Sequence, residues 1–519
     1  MKRLWIVGAV VLALVYGGLA VGAFAALVSL GDDEGGSTSS LPSTTTPEPG
    51  ATQPPEPGLE QFYSQELTWD SCGDAYCSTL TVPVDYADPG GETIELALLK
   101  VPAADPAARI GSLVVNPGGP GAPGTDYAAS ASDVFRQPIL DAYDIVGFDP
   151  RGTGHSAPVD CLSDAELDAY VAEDPDPDTD AEVSDYMRSV EALGRGCAER
   201  SGDLAAHVTT VEAARDMDVL RAALGESQLD YFGASYGTKL GATYADLFPE
   251  RVGRMVLDGA VDLSISSRQL SLQQAAGFET ALRAYVADCV AQGDCVLGDS
   301  VEEGLATIKG LLDQVDQDPM PTSGSRDLEV GNAFYGIVLP LYNRDYWPYL
   351  TQGLEAALDG DGTLLLRFSD IYNSRSARGG YTDNSTEANY AINCLDNPWS
   401  IPADEVPAQL PAFEKASPTF GTVFAWGLTG CGGIEVEATE HDRHIDAVGA
   451  APIVVVGTTR DPATPYQWAQ HLADQLDSGV LVSRDGDGHT GYNSGNECVD
   501  TAIEDYLVDG TVPEDGLSC

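Results

Sequence analysis

Basic residues are scarce in this sequence. Its 519 residues hold 26 Lys and Arg against 81 Asp and Glu, a formal net charge of −55 with a pI near 4.1. A surface of that sign repels nucleic acid and anionic lipid, so neither is expected as a partner. The acidity could attract cationic substrates such as peptide N-termini. General solubility in a salty medium, where the charge is screened, is the plainer reading. Histidine is rarer still, with six residues, which narrows any search for a general base. No Cys-x-x-Cys occurs, so the ten cysteines do not read as metal ligands. They fall as neighbouring couples: Cys72 with Cys77, Cys161 with Cys197, Cys289 with Cys295, Cys394 with Cys431, and Cys498 with Cys519. Sequential pairing into five local disulfides is expected of an exported chain. No cysteine lies near the N-terminus, which argues against a lipoprotein anchor.

Export is signalled by the first 30 residues. Met1-Lys2-Arg3 precedes an apolar run over 4–30, long enough to span a bilayer as a helix. Lys2 and Arg3 would stay inside and the remainder cross. Ala23-Phe24-Ala25 could be a signal-peptidase site, but apolar residues continue past it, which favours an uncleaved anchor over a cleaved signal. Either way the protein is expected outside the cell or at its surface, touching membrane only through this segment. Residues 31–61, acidic and then rich in Ser, Thr, Pro and Gly, read as a solvated linker with no core to bury.

From residue 62 the chain alternates strand and helix signals. Residues 78–84 and 93–101 flank Asp88-Pro89-Gly90-Gly91, a hairpin turn. Residues 111–116 (GSLVVN) and 143–148 (YDIVGF) are continuous apolar runs of buried parallel strands. Helical spacing over 210–224 leads to a short apolar strand that ends with Tyr231 and Phe232, and residues 254–257 form the next. The rhythm then breaks over 261–444, which carries helical patterns, two of the expected disulfides and many aromatics. It resumes over 445–519 with strands near 452–456 and 480–483 and helices over 465–476 and 496–507. This predicts an α/β fold with a doubly wound, mainly parallel sheet: core segments 62–260 and 445–519, with a mostly helical lid inserted at 261–444.

Gly233-Ala234-Ser235-Tyr236-Gly237, between a strand and a helix, has the form of a nucleophile elbow. Its glycines permit the close strand–helix approach, and the Tyr236 N–H lies at a helix N-terminus where a developing oxyanion is stabilised. A serine nucleophile needs a base with an orienting carboxylate. His489, in a glycine-flanked loop after the last strand, fits the base. His155 comes too early in the chain, His441 and His444 form a lone His-x-x-His of surface character, and His207 and His471 have no motif around them. Asp461 fits the acid, with Asp258 as the alternative. Thr464-Pro465-Tyr466-Gln467 reads as a capping box for the following helix, leaving Asp461 free of that duty. The order Ser235, Asp461, His489 is that of the α/β-hydrolase fold. Asn116-Pro117-Gly118-Gly119-Pro120-Gly121, after a strand, reads as the loop supplying a second oxyanion N–H, from Gly119 or alternatively Gly118.

These motifs, together with Phe148-Asp149-Pro150-Arg151-Gly152-Thr153-Gly154-His155-Ser156 and Val256-Leu257-Asp258-Gly259, resemble the secreted tripeptidyl aminopeptidases of the prolyl-iminopeptidase group of α/β-hydrolases. The resemblance runs from about residue 67 to 519. It implies an exported serine exopeptidase that removes short peptides from free N-termini beneath a helical lid. Acyl transfer by such a triad needs no metal or organic cofactor, and a monomer is expected, with the sequence leaving the oligomeric state open. Asp149, Arg151 and Asp258 are then structural charges beside the site. Lys239, just after the elbow, departs from the pattern and reads as a solvated helix position. The acidic lid offers many carboxylates for a substrate ammonium, Asp396 among them. An esterase or endoprotease on the same site is the first rival, and a catalytically dead surface-binding protein the second.

Overall fold

The structure is a computed structural model that describes residues 41–42, 47–438 and 444–519. The proposed anchor over 1–30, most of residues 31–46 and His441 lie outside the described residues. Ten strands are numbered here: β1 (Thr68–Cys72), β2 (Ala75–Pro83), β3 (Thr93–Val101), β4 (Gly111–Asn116), β5 (Tyr143–Phe148), β6 (Leu229–Ala234), β7 (Val252–Asp258), β8 (Ile453–Arg460), β9 (Gly479–Asp487) and β10 (Leu517–Ser518). They lie side by side in the order β1-β2-β3-β5-β4-β6-β7-β8-β9-β10, with a two-residue piece, Leu41–Pro42, antiparallel on β1. β1, β2 and β3 pair antiparallel, β3 meets β5 antiparallel, and every later pairing is parallel.

The central strands carry apolar residues at successive positions because both faces are covered. Val114, Tyr231 and Val455 belong to a core on one face; Val115, Phe232 and Val456, one residue on, belong to the core on the other. Helices Thr210–Leu224, Tyr236–Leu247 and Tyr466–Gln475 cover the first face. The second is covered by the helical stretch before β5 and the C-terminal helix Glu497–Glu504.

The chain's winding direction reverses at β4, which lies between β5 and β6. Register places Asn116 of β4 beside Gly233 of β6, and Ala234 of β6 beside Asp258 of β7. The loops that follow these strands therefore leave the sheet next to one another, the position where open α/β sheets bind ligands.

Between β7 and β8 the insertion folds around cores of its own, with Phe278, Leu282, Ile337, Leu350 and Leu365 in the larger. Two features were not foreseen. Residues between β5 and β6 also leave the sheet, as helices Asp164–Ala172 and Asp180–Ser201, and pack on the insertion: a Cβ on Gly194 would sit 2.1 Å from the Gly433 carbonyl oxygen. Conversely, helix Ser385–Asp396, within the insertion by sequence, places Ala388, Ala391, Ile392 and Leu395 in the core of the sheet domain. No helix among the described residues is long and apolar enough to cross a membrane.

All ten cysteines are paired, each with its neighbour in sequence as expected. Cys72 bonds to Cys77 across the turn between β1 and β2, and Cys161 bonds to Cys197 of helix Asp180–Ser201. Within the insertion Cys289 bonds to Cys295, and Cys394 bonds to Cys431. Cys498, on the C-terminal helix, bonds to the last residue, Cys519.

The linker over 31–61 needs correction at its C-terminal end. Ala51 and Leu59 are buried, the Arg221 guanidinium donates to the Ala51 carbonyl, and the Glu48 N–H donates to the Gly225 carbonyl. Sparse apolar residues among prolines gave no periodic signal, yet these two meet the sheet domain. Leu59→Ala should cost about 2–5 kcal/mol in urea unfolding; a change near zero would return this segment to the linker.

Candidate active site

The elbow forms as its residue types require. Ser235 adopts φ 57° and ψ −124°, backbone space that non-glycine residues rarely occupy. A Cβ on Gly233 would come within 2.4 Å of the Gly237 carbonyl oxygen, and one on Gly237 within 2.8 Å of the Asn116 carbonyl oxygen. Only hydrogens fit at both places. The Ser235 N–H donates to the Asp258 carbonyl at 2.9 Å, and helix Tyr236–Leu247 begins at the next residue. The Tyr236 N–H is thus among the first four of a helix, which have no intrahelical acceptor.

The glycine-rich loop after β4 lies against this turn. A Cβ on Gly118, at φ +98°, would sit 2.9 Å from both the Ser235 Cβ and the Tyr236 nitrogen. The Gly118 N–H is already taken, donating to Asn116 Oδ1 at 2.9 Å. Gly119 lines the cavity beside Ser235, and its N–H meets no acceptor among the described residues. Of the two candidates, Gly119 is the one with a donor to offer.

Asp461 and His489 meet from the ends of β8 and β9. His489 Nδ1 lies 2.9 Å from both carboxylate oxygens of Asp461. Asp461 is buried, and it also accepts the N–H groups of Ala463, Thr464 and Thr490. The expected capping box is absent: helix Tyr466–Gln475 has Pro465 at its N-cap without a side-chain bond. Asp461 therefore does hold its turn, while the Thr464 hydroxyl lies 3.3 Å from His489 Nδ1. A lid residue completes the support: the His489 N–H donates to the Tyr342 carbonyl at 2.7 Å, and the Tyr342 ring meets the imidazole edge-on at 5.4 Å.

Burial pulls the His489 pKa down, but the charge and hydrogen bond of Asp461, with the charge of Asp258 behind, raise it above the ordinary imidazole value. Asp258 does not touch the ring through a hydrogen bond. Its carboxylate accepts the Gly491 and Tyr492 N–H groups and fixes the loop carrying His489; burial pushes its pKa up to about 6. Asp149 similarly binds Thr125 and the His155 N–H, and Arg151 is buried against Asp216. These three are scaffold charges.

Ser235, Tyr236 and Gly119 line one cavity of about 500 Å³. Phe278, Phe334, Tyr342 and Phe424 of the lid form an apolar wall, and Asn389, Asn393 and Asn397 a polar one. Lys239 lines it too, and is not solvated: its Nζ lies 2.8 Å from Asp396 Oδ2, with the carboxylate buried. Asp396 also accepts the Thr210 N–H and hydroxyl, and that hydroxyl lies 2.6 Å from the Tyr236 hydroxyl. Asp396 is therefore neutralised and unavailable to a substrate ammonium. Asp262, the carboxylate in the cavity wall, is likewise bound by Ser264 and His471. Elsewhere Asp85, His207 and Glu212 could together offer three metal ligands. There, however, His207 Nδ1 lies 2.7 Å from Glu212, and the Arg151 guanidinium lies 3.6 Å from it.

Two outcomes follow. A neutral imidazole is the working base, so kcat/KM is present above the His489 pKa and lost as pH falls through it. Because that pKa is raised, the acid limb should lie above 6.5; a limb below that value would contradict the Asp461 pairing. Lys239→Met strands the buried Asp396 charge and should cost about 3 kcal/mol in thermal or urea unfolding. Adding Asp396→Asn should recover most of it.

Comparison with known proteins agrees with this geometry. Residues 417–519 match the family described as TAP-like protein. The chain is 38% identical over 484 residues to the protein named Serine protease Hip1 of Mycobacterium tuberculosis, covering 89% of this chain and 92% of that one. It is 40% identical over 521 residues, 95% and 97% of the two chains, to the protein named Carboxylesterase B of the same organism. To the tripeptidyl aminopeptidase of Streptomyces coelicolor it is 31% identical over 470 residues, 87% and 86% of the two. With these relatives matched over most of its length, the chain belongs to the TAP-like family of α/β-hydrolases and is a serine hydrolase.

Proposed function

We propose that this protein is an exported serine exopeptidase that removes short peptides, tripeptides in the first instance, from the free N-termini of peptides or proteins. The observation that carries the reading is the strained Ser235 elbow together with the Asp461–His489 pair, held on the loops after β8 and β9 against lid residue Tyr342. His489 takes the proton of the Ser235 hydroxyl as its oxygen bonds to the scissile carbonyl carbon. The N–H groups of Tyr236 and Gly119 hold the oxyanion, and Asp461 stabilises the imidazolium. His489 then gives its proton to the leaving amine as the C–N bond breaks. Water, deprotonated by the same imidazole, releases the acyl group and regenerates the serine. Among the relatives, the names Serine protease and Tripeptidyl aminopeptidase support a peptide substrate. Five disulfides and the apolar N-terminal run support export, with the run retained as an anchor in the reading preferred here.

An esterase is the second reading, favoured by the relative named Carboxylesterase B. A fluorogenic tripeptide amide with its N-terminus free, the same amide acetylated, and a nitrophenyl ester separate the two. Cleavage of the free peptide, loss on acetylation, and a fall of about 10⁴-fold or more in Ser235→Ala are expected. Turnover of the ester alone would make the protein an esterase, and equal cleavage of both peptides an endoprotease.

A further inference from the structure

The molecule carries a net charge of −55, yet the charged groups lining its cavity are compensated within the protein. Among the described residues, an ammonium entering there meets no unpaired carboxylate in the wall. It meets amides. Asn389, Asn393 and Asn397 recur every fourth residue along helix Ser385–Asp396 and its C-cap, so they share one face. All three line the cavity, and Trp399, 43% exposed, stands at the end of the row.

The row is oriented from the oxyanion loop outward. Asn389 Nδ2 donates to the Pro120 carbonyl at 3.2 Å, and Asn393 Nδ2 donates to Asn389 Oδ1 at 3.1 Å. Asn393 Oδ1 accepts no hydrogen bond among the described residues, and Asn393 lines the cavity. Asn397 Oδ1 accepts the Trp399 N–H at 3.2 Å, which fixes its amide too. The helix is pressed on the loop at its start: a Cβ on Gly121 would lie 2.7 Å from the Ser385 carbonyl oxygen and 3.0 Å from the Asn389 nitrogen. Its C-terminal end, with the partial negative charge of unsatisfied carbonyls, lies at Asn397.

Direction follows from the chemistry. The leaving amine must receive its proton from His489, so the leaving segment lies on the side where Tyr342, itself packed on Phe278, meets the imidazole. The acyl segment lies on the other side, past Pro120. Eight residues of helix rise about 12 Å, and three extended residues span about 10 Å. We propose that the Asn389–Asn393–Asn397 row is the subsite for the acyl peptide, with Asn393 accepting a main-chain N–H. Asn397, with the helix C-terminal end and Trp399, receives the N-terminal ammonium and sets the length at three residues. The proposal rests on the exopeptidase reading above and names how that site measures its substrate.

The test compares kcat/KM for free tripeptidyl and aminoacyl amides sharing the same residue at the cleaved bond, in wild type, Asn393→Ala and Asn397→Ala. Active enzyme is counted in each by stoichiometric organophosphorus labelling, so misfolded protein does not enter the ratio. The tripeptidyl preference should fall about tenfold or more in both variants, chiefly through KM, as loss of a hydrogen bond to a charged or main-chain group implies. An unchanged preference in labelled enzyme, with wild type still cleaving the tripeptide, would overturn the row and leave the exopeptidase reading standing. Failure of wild type to cleave any free-N-terminus amide would overturn both.

Discussion

The close approach at the elbow is the constraint on which the rest depends. Ser235 occupies backbone space that costs on the order of 1–3 kcal/mol for a residue with a side chain. It stays there because its neighbours leave no alternative. Its N–H is bound by the Asp258 carbonyl, the Thr238 hydroxyl donates to the Ser235 carbonyl, and Gly118, Gly233 and Gly237 bring three backbones to contact distance around it. Register then does the remaining work: Asn116, Gly233 and Ala234, Asp258 and Val456 are successive neighbours across four strands, so the loops after them converge without long excursions.

A second layer of order comes from the insertion. Helix Ser385–Asp396 is joined to the core along its whole length. Asn384, just before it, binds the Gly152 and Val159 carbonyls; Glu387 accepts the Cys161 and Leu162 N–H groups; Asn389 holds Pro120; Asp396 pairs with Lys239 on the elbow helix. A helix inserted as lid by sequence is by contact a wall of the catalytic cavity. The overall acidity works at a different range. It sets up a field that salt screens within about 10 Å. The neutral cavity acts at contact through amides and aromatic rings.

Sequence patterns made the sheet legible: both-face burial leaves apolar runs at 111–116 and 143–148, and the hairpin turn preceding it marks 93–101, all strands over those very residues. The elbow, Asp461 and His489 were legible for a different reason, since each follows a strand with glycine or turn chemistry. The disulfides were legible because they join neighbours in sequence: Cys77, Cys197, Cys295, Cys431 and Cys519 each meet the cysteine that precedes them in the chain. Contacts without a local signal were not. Residues 47–61 bind the body through scattered apolar side chains and backbone groups, and helices 164–172 and 180–201 join the lid across a gap of more than two hundred residues. Lys239 looked solvated because its partner, Asp396, is 157 positions away. Thr464 looked like a helix cap because the Thr-x-x-Gln pattern carries no word of the imidazole nearby. The asparagine row was visible as spacing, but polar residues on a helix face ordinarily mean solvent; only the cavity gives them a role.

The central claim is that Ser235 is made nucleophilic by His489. Treating the protein with a fluorophosphonate, digesting it and mapping the adduct by mass spectrometry tests that most directly. The account predicts a single phosphonyl adduct, on the peptide containing Ser235, and its loss in His489→Ala. An adduct on another residue, or undiminished labelling of Ser235 without the imidazole, would contradict it.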